Sequence, residues 1–356
     1  MKLERWSLHC YRLPYAREVV WANAREDSGL FALLVLEAEG AKGIAEGTLK
    51  DTWSGVSPAS LKAALEDFLI PRLRGVELGD EAAVSKAFAG VPDNRLAKGM
   101  IESACWTLRA AVAQQPLWKL WGTGRGRDLA WTVTRQAPAL MAQESAEVCA
   151  RYGFRVLKVK GGQGVATDLQ ALREIRAAVG PAIELYVDAN SHCARGEALG
   201  YVQALAGAGV TVAEDPCALQ PDRAFEALQA ASPIPVLVDR SCASKEDAAL
   251  YLERGARALS TKPGRVGLAE TRAIAAMAAA RGARTAVGIY AESALGTLVN
   301  LQQPGTMAAE QTFYLAMTEQ VSSVVPEIRG GRIDLPDEAD LAGTVDWDRV
   351  RRLAPA

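Results

Sequence analysis

The chain has 356 residues, long for one average domain and suited to two, and 49% of them are hydrophobic and 23% charged, an ordinary globular balance. Lys and Arg total 40 against 42 Asp and Glu, a net charge of -2. That balance excludes the basic excess wanted by a nucleic-acid or anionic-membrane partner, but not a small anionic substrate in a locally positive site.

The opening Met1-Lys2-Leu3-Glu4-Arg5-Trp6 lacks the long apolar core of a signal peptide, and no stretch is apolar enough to span a bilayer. The cysteines (Cys10, Cys105, Cys149, Cys193, Cys217, Cys242) form no CxxC pair. Reduced thiols in a cytoplasmic protein are therefore expected. The first third reads as α+β. Residues 2–14 alternate like an edge strand, 21–29 form a polar stretch, and 30–39 and 42–48 flank Gly40 as a hairpin. Helical patterns follow near 57–73, 80–90 and 97–115, the last with an apolar stripe of Ala97, Met100, Ile101, Ala104, Cys105 and Leu108.

From about Leu129 the pattern changes to short β-type runs, each ending at a polar or charged residue and each followed by an alanine-rich amphipathic helix. The runs are 131–134, 155–159, 184–187, 210–213, 236–238, 256–260, 284–288 and, less marked, 306–309. Strands alternating with helices predict parallel βα units, and about eight of them predict a closed barrel. Gly180, Gly209, Gly255 and Gly282 are placed to end the intervening helices.

In a parallel barrel the carboxyl ends of the strands build the site. Those ends carry Lys158 and Lys160, Asp188 and Asn190, Glu214, Asp239, Lys262 and Glu292. The intervals from Asp188 to Glu214 to Asp239 to Lys262 are 26, 25 and 23 residues, one βα unit each, which sets three carboxylates side by side with lysines on both flanks. An oxygen-rich set without histidine or cysteine suits Mg2+, then Mn2+, and not Zn2+. Beyond residue 119 the only lysines are Lys158, Lys160, Lys245 and Lys262, in a chain otherwise rich in arginine. Lysine can be tuned to give up its proton where arginine cannot. A neighbouring Lys158 ammonium and a divalent cation would each favour neutral Lys160. Taken singly, a Lys-x-Lys run is a solvated strand face and an acid at a strand end is a helix cap; the order and spacing are what point to a site.

These pieces resemble the enolase superfamily, and within it the muconate lactonizing enzyme group. The matching segments are Lys158-Val159-Lys160, Val187-Asp188-Ala189-Asn190, Ala213-Glu214-Asp215-Pro216, Asp239, Lys262-Pro263-Gly264-Arg265-Val266-Gly267 and Glu292-Ser293-Ala294-Leu295-Gly296. The helix 97–111 and Arg332-Ile333-Asp334-Leu335-Pro336 match as well. The resemblance implies an α/β fold, a modified TIM barrel of (β/α)7β type (124–325) under an N-terminal α+β capping domain (1–123) completed by the tail 326–356. It implies that Asp188, Glu214 and Asp239 bind Mg2+. Lys160 and Lys262 would stand on opposite faces of a small-molecule carboxylate, with Lys158 polarising that carboxylate. Capping loops near 21–29 and 49–55 would select the substrate through Trp21, Asn23, Arg25, Glu26 and Trp53, with Asn190, Glu292 and Arg135 as further contacts. A homo-oligomer is implied on the same ground.

The chain departs from the family pattern in places. No histidine lies in 283–291, where mandelate racemase-like members carry one, so two-lysine chemistry is favoured; the only barrel histidine, His192, is either a loop residue or a substrate contact. Arg240 replaces a second acid after Asp239, adding a positive charge; Thr107 replaces an acid in the helix; and Arg135 either makes a structural ion pair or binds a second carboxylate. The expected reaction is removal of the proton next to a carboxylate, leading to cycloisomerisation or to racemisation and epimerisation. Dehydration of a hydroxy or sugar acid is the alternative, and a metal-binding scaffold without catalysis is the rival of another class.

Overall fold

The computed structural model describes residues 1–20 and 25–355. Trp21 and Asn23 lie outside the described residues. Three long strands open the chain: β1 (Arg5–Val20), β2 (Arg25–Ala38) and β3 (Ala41–Thr48), an antiparallel meander in sequence order. Residues 25–29, expected in a polar loop, instead extend β2: Gly29 and Ser28 pair with Leu13 and Pro14 of β1, and beyond a register break between Pro14 and Val19, Glu26 and Arg25 pair with Val19 and Val20.

β2 is nearly continuous in apolar residues because both faces are buried. Ala32, Leu34 and Leu36 pack against the cap helices, and Phe31, Leu33 and Val35 pack with Leu268, Leu295 and Val299 of the barrel and Val350 of the tail. The principal cap helix, Arg95–Ala113, lies on this sheet. Thr107 is explained by its neighbours: its hydroxyl accepts from the Ile44 N–H (2.7 Å) and lies 2.8 Å from the Ile44 carbonyl, stitching the helix to β3. Backbones meet at Gly99 and Gly267, where a Cβ on either would come within 2.6 Å of the other chain segment. The cap helix therefore rests directly on the loop that follows Lys262.

Next come β4 (Gly126–Asp128), then β5 (Ala130–Val133), β6 (Val156–Lys160), β7 (Glu184–Asp188), β8 (Ala213–Glu214), β9 (Val236–Val238), β10 (Ala258–Thr261) and β11 (Arg284–Val287). β5 to β11 form one parallel sheet in sequence order. Residues 306–310 close it: Met307 N–H donates to Thr285, Glu310 N–H to Val287, Ala309 N–H to Asp128, and Ala130 N–H returns to Ala309. The short eighth run is thus the last stave of a (β/α)7β barrel. Gly255 (φ 81°) and Gly282 (φ 67°) end their helices in the left-handed region, as expected. In the tail, β12 (Arg332–Asp334) pairs antiparallel with β4, and Leu353 accepts from the Arg12 N–H of β1 (2.9 Å). Among the described residues no helix is long and apolar enough to cross a membrane.

Alternation sorts the barrel strands. Leu157, Val159, Leu185, Val187, Val236 and Val238 face the helices. Ala130, Tyr186, Val212, Leu237, Ala258 and Ala286 fill the interior.

Where the helix Arg95–Ala113 meets the barrel, burial and then the nearby Glu270 and Glu81 push the Glu102 carboxyl up to about 7. A raised carboxyl favours the folded state below its unfolded value near 4.5, and that contribution is lost as pH rises through about 7. Glu102→Gln is expected to stabilise the protein by on the order of 1–3 kcal/mol at pH 8 and by much less at pH 5. Denaturant titrations at both values check this; an equal gain at both would rule out Glu102 ionisation as the source.

Candidate active site

The site residues stand two or four positions beyond the apolar interior residues of the same strands, hence on the inner face at the carboxyl end. Lys158 and Lys160 follow Val156, Asp188 follows Tyr186, Glu214 follows Val212, Asp239 follows Leu237 and Lys262 follows Ala258.

Lys158 is 1% exposed and has three carboxylates around its ammonium: Glu214 at 2.7 Å, Glu310 at 2.8 Å and Asp188 at 3.0 Å. Burial alone would lower its pKa; the three carboxylates outweigh that and hold it well above the lysine range. Lys160 donates to Asp188 Oδ2 at 2.6 Å, and Lys262 to Asp239 Oδ2 at 2.6 Å. Burial works against the Lys262 charge, but Asp239 prevails and raises its pKa. Asp188 is penalised by burial yet held well below the carboxylate range by Lys158 and Lys160, and Asp239 is brought down to about 2, chiefly by Lys262 against burial. Glu214 goes the other way: burial, then the Asp188 charge, push it well up.

Four carboxyl groups (Asp188, Glu214, Asp239, Glu310) thus face three ammoniums, so full ionisation would leave one negative charge in excess, and the upward shift of Glu214 answers that crowding. Among the described residues two buried oxygens also lack hydrogen bonds: Glu214 Oε2, 2.7 Å from the Lys158 ammonium, and Asp239 Oδ1. Among the described residues the carboxylates are drawn together through lysines and do not form a ready-made cage of three. The crowded carboxyl groups and the two oxygens nonetheless fit a hard divalent cation, for which Asp188, Glu214 and Asp239 would be the all-oxygen donor set.

β5 to β11 and the closing segment make eight staves. Lys160 ends the second and Lys262 follows the sixth, so the two amines stand across the barrel axis with the three carboxylate strands on the arc between them. Asn190, with φ 48°, donates its backbone N–H (2.8 Å) and its amide (3.0 Å) to Asp188. Among the described residues Arg135 makes no ion pair: it donates to the Gly161 carbonyl (2.6 Å) and to Asn190 Oδ1 (3.0 Å). His192 is exposed, with Nδ1 2.8 Å from the Ala189 carbonyl. Arg240 is exposed; its backbone N–H goes to Asp215 (2.9 Å).

Glu292 is buried beneath the mouth, accepting from the Tyr290 N–H (2.8 Å) and the Asn300 amide (2.9 Å), and burial pushes its carboxyl up to about 7. Trp53 reaches the barrel from the cap, 5.2 Å between ring centroids from Tyr290. Lys50, beside Trp53, pairs with Glu26. Arg25 is not brought to the barrel; it pairs with Glu18 at 3.0 Å on the exposed hairpin.

Two buried acids were missed in the sequence. Glu310 closes the eighth stave, holding Lys158 and accepting from the Tyr186 hydroxyl (2.9 Å). The one signal for it was its place directly after the weak run 306–309. Glu46, on β3, accepts from the Ser293 N–H (3.0 Å) and from the hydroxyls of Ser293 and Tyr11. Nothing local in the sequence marks it, since its partners lie in the barrel loop after β11 and on β1.

Comparison with known proteins gives matches along most of the chain. Residues 15–122 match the N-terminal domain of the mandelate racemase/muconate lactonizing enzyme family, and residues 140–349 match the enolase C-terminal domain-like family. Muconate cycloisomerase 1-2 of Acinetobacter lwoffii is 28% identical over 330 residues, 89% of this chain and 86% of that protein. The o-succinylbenzoate synthase of Geobacillus stearothermophilus is 30% identical over 86% of this chain and 80% of its own length. The L-Ala-D/L-Glu epimerase of Bacillus subtilis is 30% identical over 72% of each chain. The fold is shared with a muconate lactonizing enzyme from Pseudomonas fluorescens in complex with muconolactone, at TM-score 0.90, 24% identity and 99% coverage of both chains. The chain belongs to the mandelate racemase/muconate lactonizing enzyme family of the enolase superfamily.

Proposed function

We infer that the protein is an isomerase that removes the proton α to the carboxylate of a small-molecule substrate, with Lys160 and Lys262 as its acid/base pair. Mg2+ is the inferred cofactor, with Mn2+ the second choice, held by Asp188, Glu214 and Asp239. Residues 1–123 with 326–356 form the cap in this reading and 124–325 the barrel. The observation that carries it is the placement of the two amines across the barrel axis, each 2.6 Å from one of the carboxylates between them.

A proton beside a carboxylate is too weakly acidic to leave unaided near neutral pH. Bound at the three carboxylates, Mg2+ supplies positive charge where the enediolate develops. A lysine base with magnesium is the general arrangement of enolase-superfamily sites, applied here to this chain's residues. Lys160 takes or returns the proton on one face and Lys262 on the other. Lys158, hydrogen-bonded to Glu214 and Glu310 and paired with Asp188, acts through its charge. Asn190 orients Asp188, and Trp53 on Tyr290 closes the cap side.

Proton return to the opposite face gives racemisation or epimerisation; expulsion of a β-carboxylate opens a lactone, and read in reverse, addition of that carboxylate across the double bond forms the enediolate, which a lysine then protonates, giving cycloisomerisation. Both suit two opposed lysines, and relatives of both kinds are similar to this chain. Dehydration stands behind them because the loop after β11 offers no histidine to expel hydroxyl.

Deuterium uptake from D2O with Mg2+ present tests the reading against muconates, N-acyl amino acids, dipeptides, proline derivatives and acid sugars. One compound is expected to gain deuterium at Cα, and Lys160→Ala and Lys262→Ala are each expected to lose about 10²- to 10⁴-fold in rate. Near-native turnover in either variant would overturn the acid/base assignment. Asp239→Asn is expected to weaken Mg2+ binding by about tenfold or more in calorimetric titration, and unchanged affinity would remove it from the donor set. Lys158→Met strips three buried carboxylates of their shared cation. The expected loss in metal-free buffer is about 3–5 kcal/mol by denaturant titration, partly recovered when Mg2+ is added.

A further inference from the structure

Each lysine–aspartate pair bridges two neighbouring strands, and above each pair one arginine ties together the loops leaving those strands. On the Lys160–Asp188 side, Arg135 reaches from the end of β5 and donates Nε to the Gly161 carbonyl (2.6 Å), next to Lys160. Its Nη2 donates to Asn190 Oδ1 (3.0 Å) and lies 3.4 Å from the Ala189 carbonyl, in the loop after Asp188. On the Lys262–Asp239 side, Arg265 sits in the turn that follows Lys262, its own N–H donating to the Lys262 carbonyl (2.9 Å). Its Nη2 donates to the carbonyls of Cys242 (2.5 Å) and Asp239 (3.3 Å), and its Nη1 to that of Arg240 (3.4 Å). Both side chains are half-buried. Among the described residues neither guanidinium pairs with a carboxylate; the donors that bond go to loop carbonyls and one side-chain amide, and Arg265 Nε has no hydrogen-bond partner.

A guanidinium is a rigid planar fork that can hold two or three acceptors at fixed mutual positions, which the single ammonium of lysine cannot do. Fixing the carbonyl beside a lysine and the loop beyond its aspartate fixes where that amine stands relative to that carboxylate. Proton transfer is sensitive to such placement. We propose that Arg135 and Arg265 are positioning residues, one for each lysine, so that each arginine governs proton transfer on one face of the substrate only. This rests on the two-lysine reading above.

The test is a double dissociation in the full-length protein. Arg135→Lys and Arg265→Lys, with Arg135→Gln and Arg265→Gln as a second pair, are labelled at trace level with acetic anhydride. Lysine acetylation is then quantified peptide by peptide, with Lys245 as the internal reference. The expected result is acetylation of Lys160 faster by about threefold to tenfold in the Arg135 variants, the weight of a lost hydrogen bond, with Lys262 unchanged. The Arg265 variants are expected to show the reverse. Parallel change at both lysines, as a general loosening would give, or no change at either, overturns the proposal. The same variants are then assayed for Cα deuterium exchange with the two enantiomers of N-succinyl-lysine and with L-Ala-L-Glu and L-Ala-D-Glu. Each variant is expected to slow exchange from one stereoisomer of each pair and spare the other, and equal slowing of both overturns face-specific control. Because acetylation needs no turnover, a dissociation there alongside unaffected exchange in Lys160→Ala would separate failure of the two-lysine reading from failure of this one.

Discussion

The Lys158 ammonium is the interaction around which the rest of the site is arranged. It lies on the barrel axis, 1% exposed, between carboxylates contributed by the third, fourth and eighth staves. Without it Asp188, Glu214 and Glu310 could not approach one another in a dry interior, since each unpaired charge there carries a large desolvation penalty. With it, and with Lys160 and Lys262 on Asp188 and Asp239, three ammoniums still meet four carboxyl groups, and Glu214 is the one pushed toward its neutral form. Among the described residues Glu214 and Asp239 each keep one buried oxygen without a hydrogen bond. The same electrostatic balance therefore holds the strands together and leaves the oxygens that the proposed cation would take.

The cap belongs to this arrangement as much as the barrel does. Glu46 crosses from β3 to fasten Ser293, adjacent to Glu292, and Gly296 must lack a side chain because its Cβ would fall 2.4 Å from Glu46 Oε1. β2 is buried on both faces, so the sheet is a middle layer between cap helices and barrel. The inner structure of the cap is thereby constrained on two sides.

The barrel was legible because two rules act together in its sequence. Period-two alternation puts an apolar interior residue two or four positions before each charged one, and the βα repeat spaces those charged residues by about 25. Asp188, Glu214, Asp239 and Lys262 obey both rules, which is why their strands could be placed. Glu310 obeys them too, but its stave is held by hydrogen bonds to β5 and β11 with little apolar content of its own, and so the pattern ended one residue early. Residues 25–29 misled in the opposite direction: a polar composition reads as a loop, whereas the long partner strand β1 carries it as sheet. Arg135 is read from the sequence as an ion pair or a substrate contact, and Arg265 only as part of the matching segment 262–267; their loop-tying role leaves no mark, because most of their partners are backbone carbonyls, which every residue offers alike.

The backbone contact of Gly99 with Gly267 makes two chemically similar amines mechanically different. Lys262 shares its turn with Gly267, on which the long cap helix bears with no side chain between as cushion, and Ser103 of that helix also receives the Leu268 N–H (3.0 Å). Among the described residues Lys160 has no such link: its loop is anchored within the barrel domain by Asp168, which accepts from Gly162 and Gln163 and is itself held by Tyr201. A displacement of the cap helix would thus reach the turn of Lys262 and not the loop of Lys160. Under the two-lysine reading proposed above, strain entering from the cap would alter the balance between forward and return proton transfer, in addition to any effect on their common rate.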